Sequence, residues 1–103
     1  MKLLSNISVD TVGAAFEAPK GGGRQLRDSY VSVYCWATSF GGGTVTVEVS
    51  PDGGTSWFVM RRWNENQAIF TISDVYTCFT RGGHVRARLT GSAGASGVNV
   101  MVV

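Results

Sequence analysis

The chain has 103 residues and a mass of 11.0 kDa, which suffices for one domain with a single modest core and excludes a multidomain enzyme. Its hydrophobic share of 44% and charged share of 16% exclude a disordered chain, and no apolar run reaches the roughly 20 residues of a transmembrane helix. The net charge of +2 is a weak basis for binding nucleic acid, we expect no membrane partner, and the fourteen glycines, fourteen valines and nine threonines are typical of β-sheet.

The N-terminal quarter predicts short strands followed by a polar excursion. Residues 5–17 carry spaced apolar side chains and predict one or two strands. Residues 17–28 are polar and glycine-rich and predict a long excursion from the sheet. We therefore expect a single domain over residues 1–103, in which residues 1–28 are partly an extended N-terminal segment or arm.

Two regular strands are predicted next. Residues 30–38 alternate between an apolar face that includes Cys35 and an aromatic face that includes Tyr34 and Trp36. Residues 44–50 alternate valine with threonine and glutamate, which is the pattern of a half-buried strand.

The sequence Ser-Pro-Asp-Gly-Gly over residues 50–54 carries the strongest turn signal. Proline fixes φ, aspartate accepts hydrogen bonds from nearby backbone amides, and glycine adopts a positive φ. We expect a tight hairpin here, with a return strand over residues 56–63.

Four further runs complete the predicted strands, over residues 67–73, 75–80, 84–90 and 97–103. A small, flexible loop over residues 91–97 separates the last two, and no helical periodicity of useful length competes. Seven or eight short strands with closely spaced turns predict an all-β fold, a single antiparallel β-sandwich of the jelly-roll or immunoglobulin-like type.

Two features bear on the compartment. The first six residues become polar too soon for a secretory signal, so we expect a protein that is made inside the cell and is not secreted by a signal peptide. Cys35 and Cys78 lie in strand-like runs without a C-x-x-C or paired-histidine pattern. We expect buried, reduced thiols, and a disulfide closing a loop of about forty residues is the alternative.

The residues that could carry catalysis are few and scattered. His84 has no nucleophile or carboxylate near it in sequence, and the seven carboxylates occur singly. One histidine and two separated cysteines do not make a metal site, and the two Gly-Gly-Gly runs lack the helix of a phosphate-binding loop. We therefore expect no enzyme activity, no cofactor and no metal.

Arginine outnumbers lysine seven to two, and several arginines recur near tryptophans. Arginine with aromatic residues suits single-stranded nucleic acid, but it also suits protein interfaces, which are enriched in tryptophan, tyrosine and arginine. Because the net charge is only +2, the sequence favours the protein interface. Exposed tryptophans would also allow a sugar-binding platform.

Residues 50–57 match the pattern S-x-D-x-G-x-[ST]-W and resemble the Asp-box hairpin of sialidase-type propellers. The match occurs once and covers eight residues, whereas a propeller repeats the motif on a much larger scaffold. The resemblance implies a hairpin with a buried Trp57, and it does not imply sialidase activity.

A broader resemblance covers most of the chain. It combines V-G-A-A-F-E-A-P-K-G-G-G-R, a Tyr/Trp-rich strand, G-G-G-T-V-T-V-E-V-S-P-D-G-G-T-S-W and H-V-R-A-R-L-T-G-S-A-G-A-S-G-V-N-V. This order resembles small virion proteins of tailed bacteriophages, in particular capsid decoration, or cement, proteins with a jelly-roll or immunoglobulin-like sandwich. It implies a structural virion protein, assembled in the host cytoplasm, that binds the shell of major capsid protein as a homo-oligomer, either a dimer or a trimer.

Two regions are predicted to bind partners. The first is the arm, through Pro19, Lys20, Arg24 and Arg27, and the second is an aromatic and arginine surface formed by Tyr34, Trp36, Arg61, Arg62 and Trp63. A carbohydrate-binding module or a tail- or fibre-associated module is the alternative function, with a glycan as its partner. Binding to nucleic acid ranks last.

Overall fold

The computed structural model describes residues 2–17, 29–64, 66–80 and 83–103, without the side chains of residues 29, 30, 79 and 80. The described residues form strands and contain no helix, which confirms the predicted all-β class. The strands are β1 (Lys2–Ile7), β2 (Thr11–Val12), β3 (Phe16–Glu17), β4 (Ser29–Trp36), β5 (Thr44–Ser50), β6 (Phe58–Val59), β7 (Ile69–Phe70), β8 (Asp74–Thr80), β9 (His84–Thr90) and β10 (Val98–Val102).

The strands form two antiparallel sheets that pack against each other. Sheet I has the order β1-β10-β4-β8. In sheet II, β9 and β5 pair along their full lengths, β2 and β3 extend the β9 side, and β6 and β7 extend the β5 side. The predicted antiparallel sandwich is therefore confirmed, and four of its strands are two-residue segments.

The core lies between the sheets and is built from alternate positions of the long strands. Sheet II contributes valines 45, 47 and 85 with Ala87 and Leu89, and sheet I contributes valines 31, 33, 98, 100 and 102, all at most 5% exposed. Because successive side chains of a strand point to opposite faces, the alternation read from the sequence becomes the inner face of each sheet. Phe70 and Met60 fill the side of the core next to β5.

The long return strand predicted over residues 56–63 is shorter in the structure, because the chain crosses from one sheet to the other. The Met60 amide donates to the Val47 carbonyl in sheet II, and three residues later the Trp63 amide donates to the Thr77 carbonyl in sheet I. Only Phe58 and Val59 therefore form a strand there. The crossing closes one side of the sandwich, and the stacked rings of Phe70 and Tyr76, 4.2 Å apart at their centroids, pack against the core.

The connection after β5 is a structured loop of seven residues, 51–57, and the tight hairpin predicted there is wrong. Ser50 Oγ donates to Asp52 Oδ1 at 2.8 Å, and the same carboxylate oxygen accepts the amides of Thr55 and Ser56. These bonds, above all the one from the Ser56 amide, lower the pKa of Asp52 to about 2. The aspartate thus organises a wider loop than the turn signal indicated.

Cys35 and Cys78 are buried free thiols, in agreement with the expected reduced state. In the register of β4 with β8, Val31 pairs with Cys78 while Cys35 pairs with Asp74. Four residues along a strand span about 13 Å, well beyond the Cα separation that a disulfide bridges. The alternative of a Cys35–Cys78 bond is therefore incompatible with this fold.

Candidate protein-binding surface

The outer face of sheet I carries large apolar side chains where a solvated sheet carries polar ones. Tyr34 and Trp36, two residues apart on β4, are 43% and 39% exposed. Val75 on the neighbouring β8 is 46% exposed, and Met101 on β10 is half-buried. Single exposed apolar residues are ordinary, but a contiguous group on one face indicates a binding surface.

Strand register brings these side chains into one row. Lys2 pairs with Met101, Met101 with Tyr34, and Tyr34 with Val75, so the row crosses all four strands. Trp36 lies one step along β4, and the Lys2 ammonium lies 5.9 Å from the centroid of its ring. We call this surface of Lys2, Tyr34, Trp36, Val75 and Met101 the aromatic face. A cation near an aromatic ring is favourable, so Lys2 contributes a polar rim.

Tyr34 and Trp36 of the predicted surface therefore lie together, whereas its other members lie elsewhere. Trp63 is 64% exposed at the β8 edge, where its amide donates to the Thr77 carbonyl. Arg62 is half-buried, with its guanidinium 4.2 Å from the Tyr76 ring centroid and its Nε donating to the Gln67 carbonyl. Arg61 is exposed and forms a backbone bridge with Gln67. Arg62 thus stabilises the closed side of the sandwich rather than the aromatic face.

The other predicted contact region, with Pro19, Lys20, Arg24 and Arg27, lies outside the described residues. It stays a prediction from the sequence.

The two long strands of sheet II carry charged side chains on their outer face, and these form ion pairs with one another. Glu48 is 6% exposed, and its carboxylate lies 2.8 Å from Arg86 Nε and 3.3 Å from Arg88 Nε. The Arg86 guanidinium also lies 4.1 Å from the ring centroid of Trp57, whose indole nitrogen donates to the Gly54 carbonyl. The resemblance to the Asp-box hairpin implied a buried Trp57, whereas the structure places this side chain half-buried under Arg86 in the seven-residue loop. Its ring is already covered by the chain's own arginine.

Reactive groups do not converge among the described residues. No group of three or more histidine, cysteine, aspartate or glutamate side chains there is placed to hold a metal ion. Burial raises the pKa of Cys35 to about 12 and that of Cys78 to about 11, so both thiols are protonated and poor nucleophiles. The described part of the chain also contains no helix that is long and apolar enough to cross a membrane.

An open cleft lies at one end of the sandwich, between residues 37–43 and 71–73. Two of its hydroxyls are occupied by the chain's own backbone, since Ser73 Oγ accepts the Ala37 amide and Ser39 Oγ accepts the Gly41 amide. These two hydrogen bonds hold the loop of residues 37–43 in place at the wall of the cleft.

Sequence reasoning missed Lys2, Val75 and Met101 as members of the aromatic face. The alternation of β10 holds the signal for Met101, since Val98, Val100 and Val102 point inward and their neighbours point outward. Lys2 and Val75 join the surface only through strand order, which a local pattern does not contain.

Comparison of the chain with family models, with curated proteins and with solved structures returns no match.

Proposed function

We propose that this protein is a non-enzymatic structural module of a virion, a capsid decoration protein that binds a shell of major capsid protein as a homo-oligomer. The observation that carries the proposal is the aromatic face, whose apolar side chains lie on three adjacent strands of sheet I, β10, β4 and β8, with Lys2 of β1 at their edge. Side chains of this kind dominate the centres of protein interfaces. The sequence resemblance to phage decoration proteins supplies the biological setting.

The difference between the outer faces of the two sheets supports a role in assembly. On the outer face of sheet II, Glu48 forms ion pairs with Arg86 and Arg88, which suits a solvated surface. The aromatic face lacks such partners and gains free energy when a second surface covers it, at roughly 25 cal/mol per Å² of apolar area. An oligomer that binds a shell through several copies also gains affinity from multivalency.

The test is co-sedimentation with empty shells assembled from the major capsid protein of the same genome. We expect the wild-type protein to pellet saturably with the shells. Trp36→Ser should weaken binding at least tenfold, because it removes an exposed aromatic anchor. Thr90→Ser, at an exposed position of sheet II, is the matched control and should bind as the wild type does. A wild-type protein that stays in the supernatant at every concentration would overturn the proposal.

One observation favours a second candidate, a carbohydrate-binding module. Tyr34 and Trp36 lie side by side on a sheet face, and Trp63 is exposed at its edge. Saturable binding on a glycan array that is lost in Trp36→Ser and kept in Thr90→Ser would support this function over shell binding.

A further inference from the structure

The strands of sheet I carry only two charged side chains, and these lie on opposite faces. Asp74 pairs with Cys35, whose side chain points into the core, so Asp74 lies on the inner side at the start of β8. Lys2 pairs with Met101, which in turn pairs with Tyr34, so Lys2 lies on the outer side. Among the described residues of these four strands, Lys2 is therefore the only charged side chain of the outer face.

Lys2 has no carboxylate partner within the described part of the chain. Because β1 and β8 are opposite edges of sheet I, Asp74 lies three strands away as well as on the other face. The carboxylate of Glu48 is engaged in ion pairs on sheet II. The contact that the structure gives the Lys2 ammonium is the ring of Trp36, whose centroid lies 5.9 Å away. The cation thus lies beside the larger ring of the aromatic face without a counter-ion.

A surface that covers Trp36 also displaces water from the Lys2 ammonium, because the two groups are in contact. A cation that loses its water without gaining a partner strongly opposes binding. A carboxylate on the covering surface offsets this loss, since it accepts a charge-assisted hydrogen bond from the ammonium. The neighbouring side chains of Tyr34, Val75 and Met101 are complementary to apolar groups. The aromatic face therefore fits an apolar patch that is bordered by a carboxylate.

We propose that the patch of major capsid protein that covers the aromatic face carries an aspartate or a glutamate, which pairs with Lys2. The inference rests on the proposed function and deepens it, since it names the chemistry of the surface that the shell presents. Lys2 lies at one edge of the apolar row, on β1. A single charge at an edge also fixes the orientation of the bound protein, because a rotated arrangement leaves the ammonium and the carboxylate apart.

The test is co-sedimentation of charge variants with shells of major capsid protein. Lys2→Glu should weaken binding at least tenfold, because it places like charges across the contact. Lys2→Arg keeps the charge and should bind within about threefold of the wild type. Lys2→Gln and Thr90→Glu each lower the net charge by one, the first on the aromatic face and the second at an exposed position of sheet II. We expect a several-fold loss of affinity for Lys2→Gln and none for Thr90→Glu, the matched control.

The salt dependence of binding measures the same ion pair independently. Salt screens the attraction between partly exposed charges, so the affinity of the wild type should fall between about 0.05 M and 0.5 M sodium chloride. The affinity of Lys2→Gln should fall less over this range, because the variant lacks the cation. The affinity of Thr90→Glu should fall as that of the wild type does. A lysine whose ammonium remains in water while its stem covers the ring would show no such difference.

Three results would overturn the inference and leave the decoration function intact: Lys2→Glu binding shells as the wild type does, Lys2→Gln keeping the salt dependence of the wild type, or Thr90→Glu losing as much affinity as Lys2→Gln. A wild-type protein that ignores shells overturns the decoration function and the inference together. Circular dichroism of each variant checks that it folds, which we expect because Lys2 and Thr90 are exposed.

Discussion

The two outer faces of the sandwich differ in the side chains that they expose to solvent. On sheet II the carboxylate of Glu48 lies between Arg86 and Arg88 and forms ion pairs with both. On sheet I the equivalent outward positions of β4 carry Tyr34 and Trp36, which are 43% and 39% exposed. The charged side chains of the first face are paired within the monomer, whereas the second face leaves aromatic side chains exposed to water.

This difference concerns the aromatic side chains that sheet I exposes to solvent at a cost in free energy. A sheet face exposed to solvent gains nothing from large aromatic side chains, and the second sheet shows that the same fold accommodates a polar face. The sandwich core supports both faces equally, since valines line the inner side of each sheet. The asymmetry is therefore a property of the surfaces, and it is the reason why we propose sheet I as the assembly side.

The largest effect on stability is expected from a substitution of Glu48 on sheet II. Glu48→Ala leaves Arg86 and Arg88 without their shared carboxylate, so we expect the free energy of unfolding to fall by about 2–3 kcal/mol. The loss stays below that of a fully buried pair because the arginine side chains are 23% and 42% exposed. Urea unfolding measures it, with Thr90→Ala as the exposed control on the same face. A loss below about 0.5 kcal/mol would show that the ion cluster does not hold this face.

Acid is expected to destabilise the loops beside sheet II, where two aspartates have lowered pKa values. The pKa of Asp52 is lowered to about 2 by the amide of Ser56 first, and that of Asp10 is lowered, first by the Ser92 hydroxyl. A depressed folded-state pKa stabilises the fold above the unfolded value of about 4, and the contribution is lost as pH falls toward the folded value. We expect the melting temperature to drop between about pH 4 and pH 2.

Asp52→Asn should flatten part of that drop and lower the melting temperature at pH 7, because its amide does not titrate. Thermal unfolding followed by circular dichroism at each pH provides the measurement. An Asn variant whose melting temperature falls with the wild-type slope would exclude Asp52 as a source of the acid sensitivity.

The smallest effects on folding are expected from two tryptophan substitutions, and the one on the aromatic face, Trp36→Ser, should be the smaller. On sheet II, Trp57→Ser removes a half-buried ring, its hydrogen bond to Gly54 and the stacking of Arg86, and should cost about 1–2 kcal/mol of stability. Trp36→Ser should change the stability of the monomer by less than about 1 kcal/mol. Dilute samples are needed, since any self-association adds concentration-dependent stability. A Trp36 cost that exceeds the Trp57 cost would make Trp36 a structural residue.

Much of the fold follows from local patterns in the sequence. The strands over residues 44–50 and 84–90 are predicted with the bounds that the structure shows, because valine, alanine and leucine alternate there without interruption. The strand β1 begins three residues before the region of residues 5–17 in which strands are predicted, since Leu3 and Leu4 are both buried and break the alternation. The return strand was predicted too long because a propensity pattern does not show that the chain changes sheets at residues 60–63.

The candidate surface follows from the sequence only in part. Tyr34 and Trp36 share a face by simple alternation, so their association is predictable. Their union with Lys2, Val75 and Met101 depends on the order β1-β10-β4-β8, which joins segments from both ends of the chain. Arg62 and Trp63 show that neighbours in the sequence can also be separated in the fold. The side chain of Trp63 is exposed, whereas the guanidinium of Arg62 packs on Tyr76.

The most direct test of the proposed assembly side is oxidative footprinting by hydroxyl radicals with and without shells of major capsid protein. We expect Tyr34, Trp36 and Met101 to react several times more slowly when shells are present, because the shell covers them, while Trp57 reacts equally in both samples. Equal rates for all four residues in both samples, or protection at Trp57 alone, would contradict the proposal that sheet I is the assembly face.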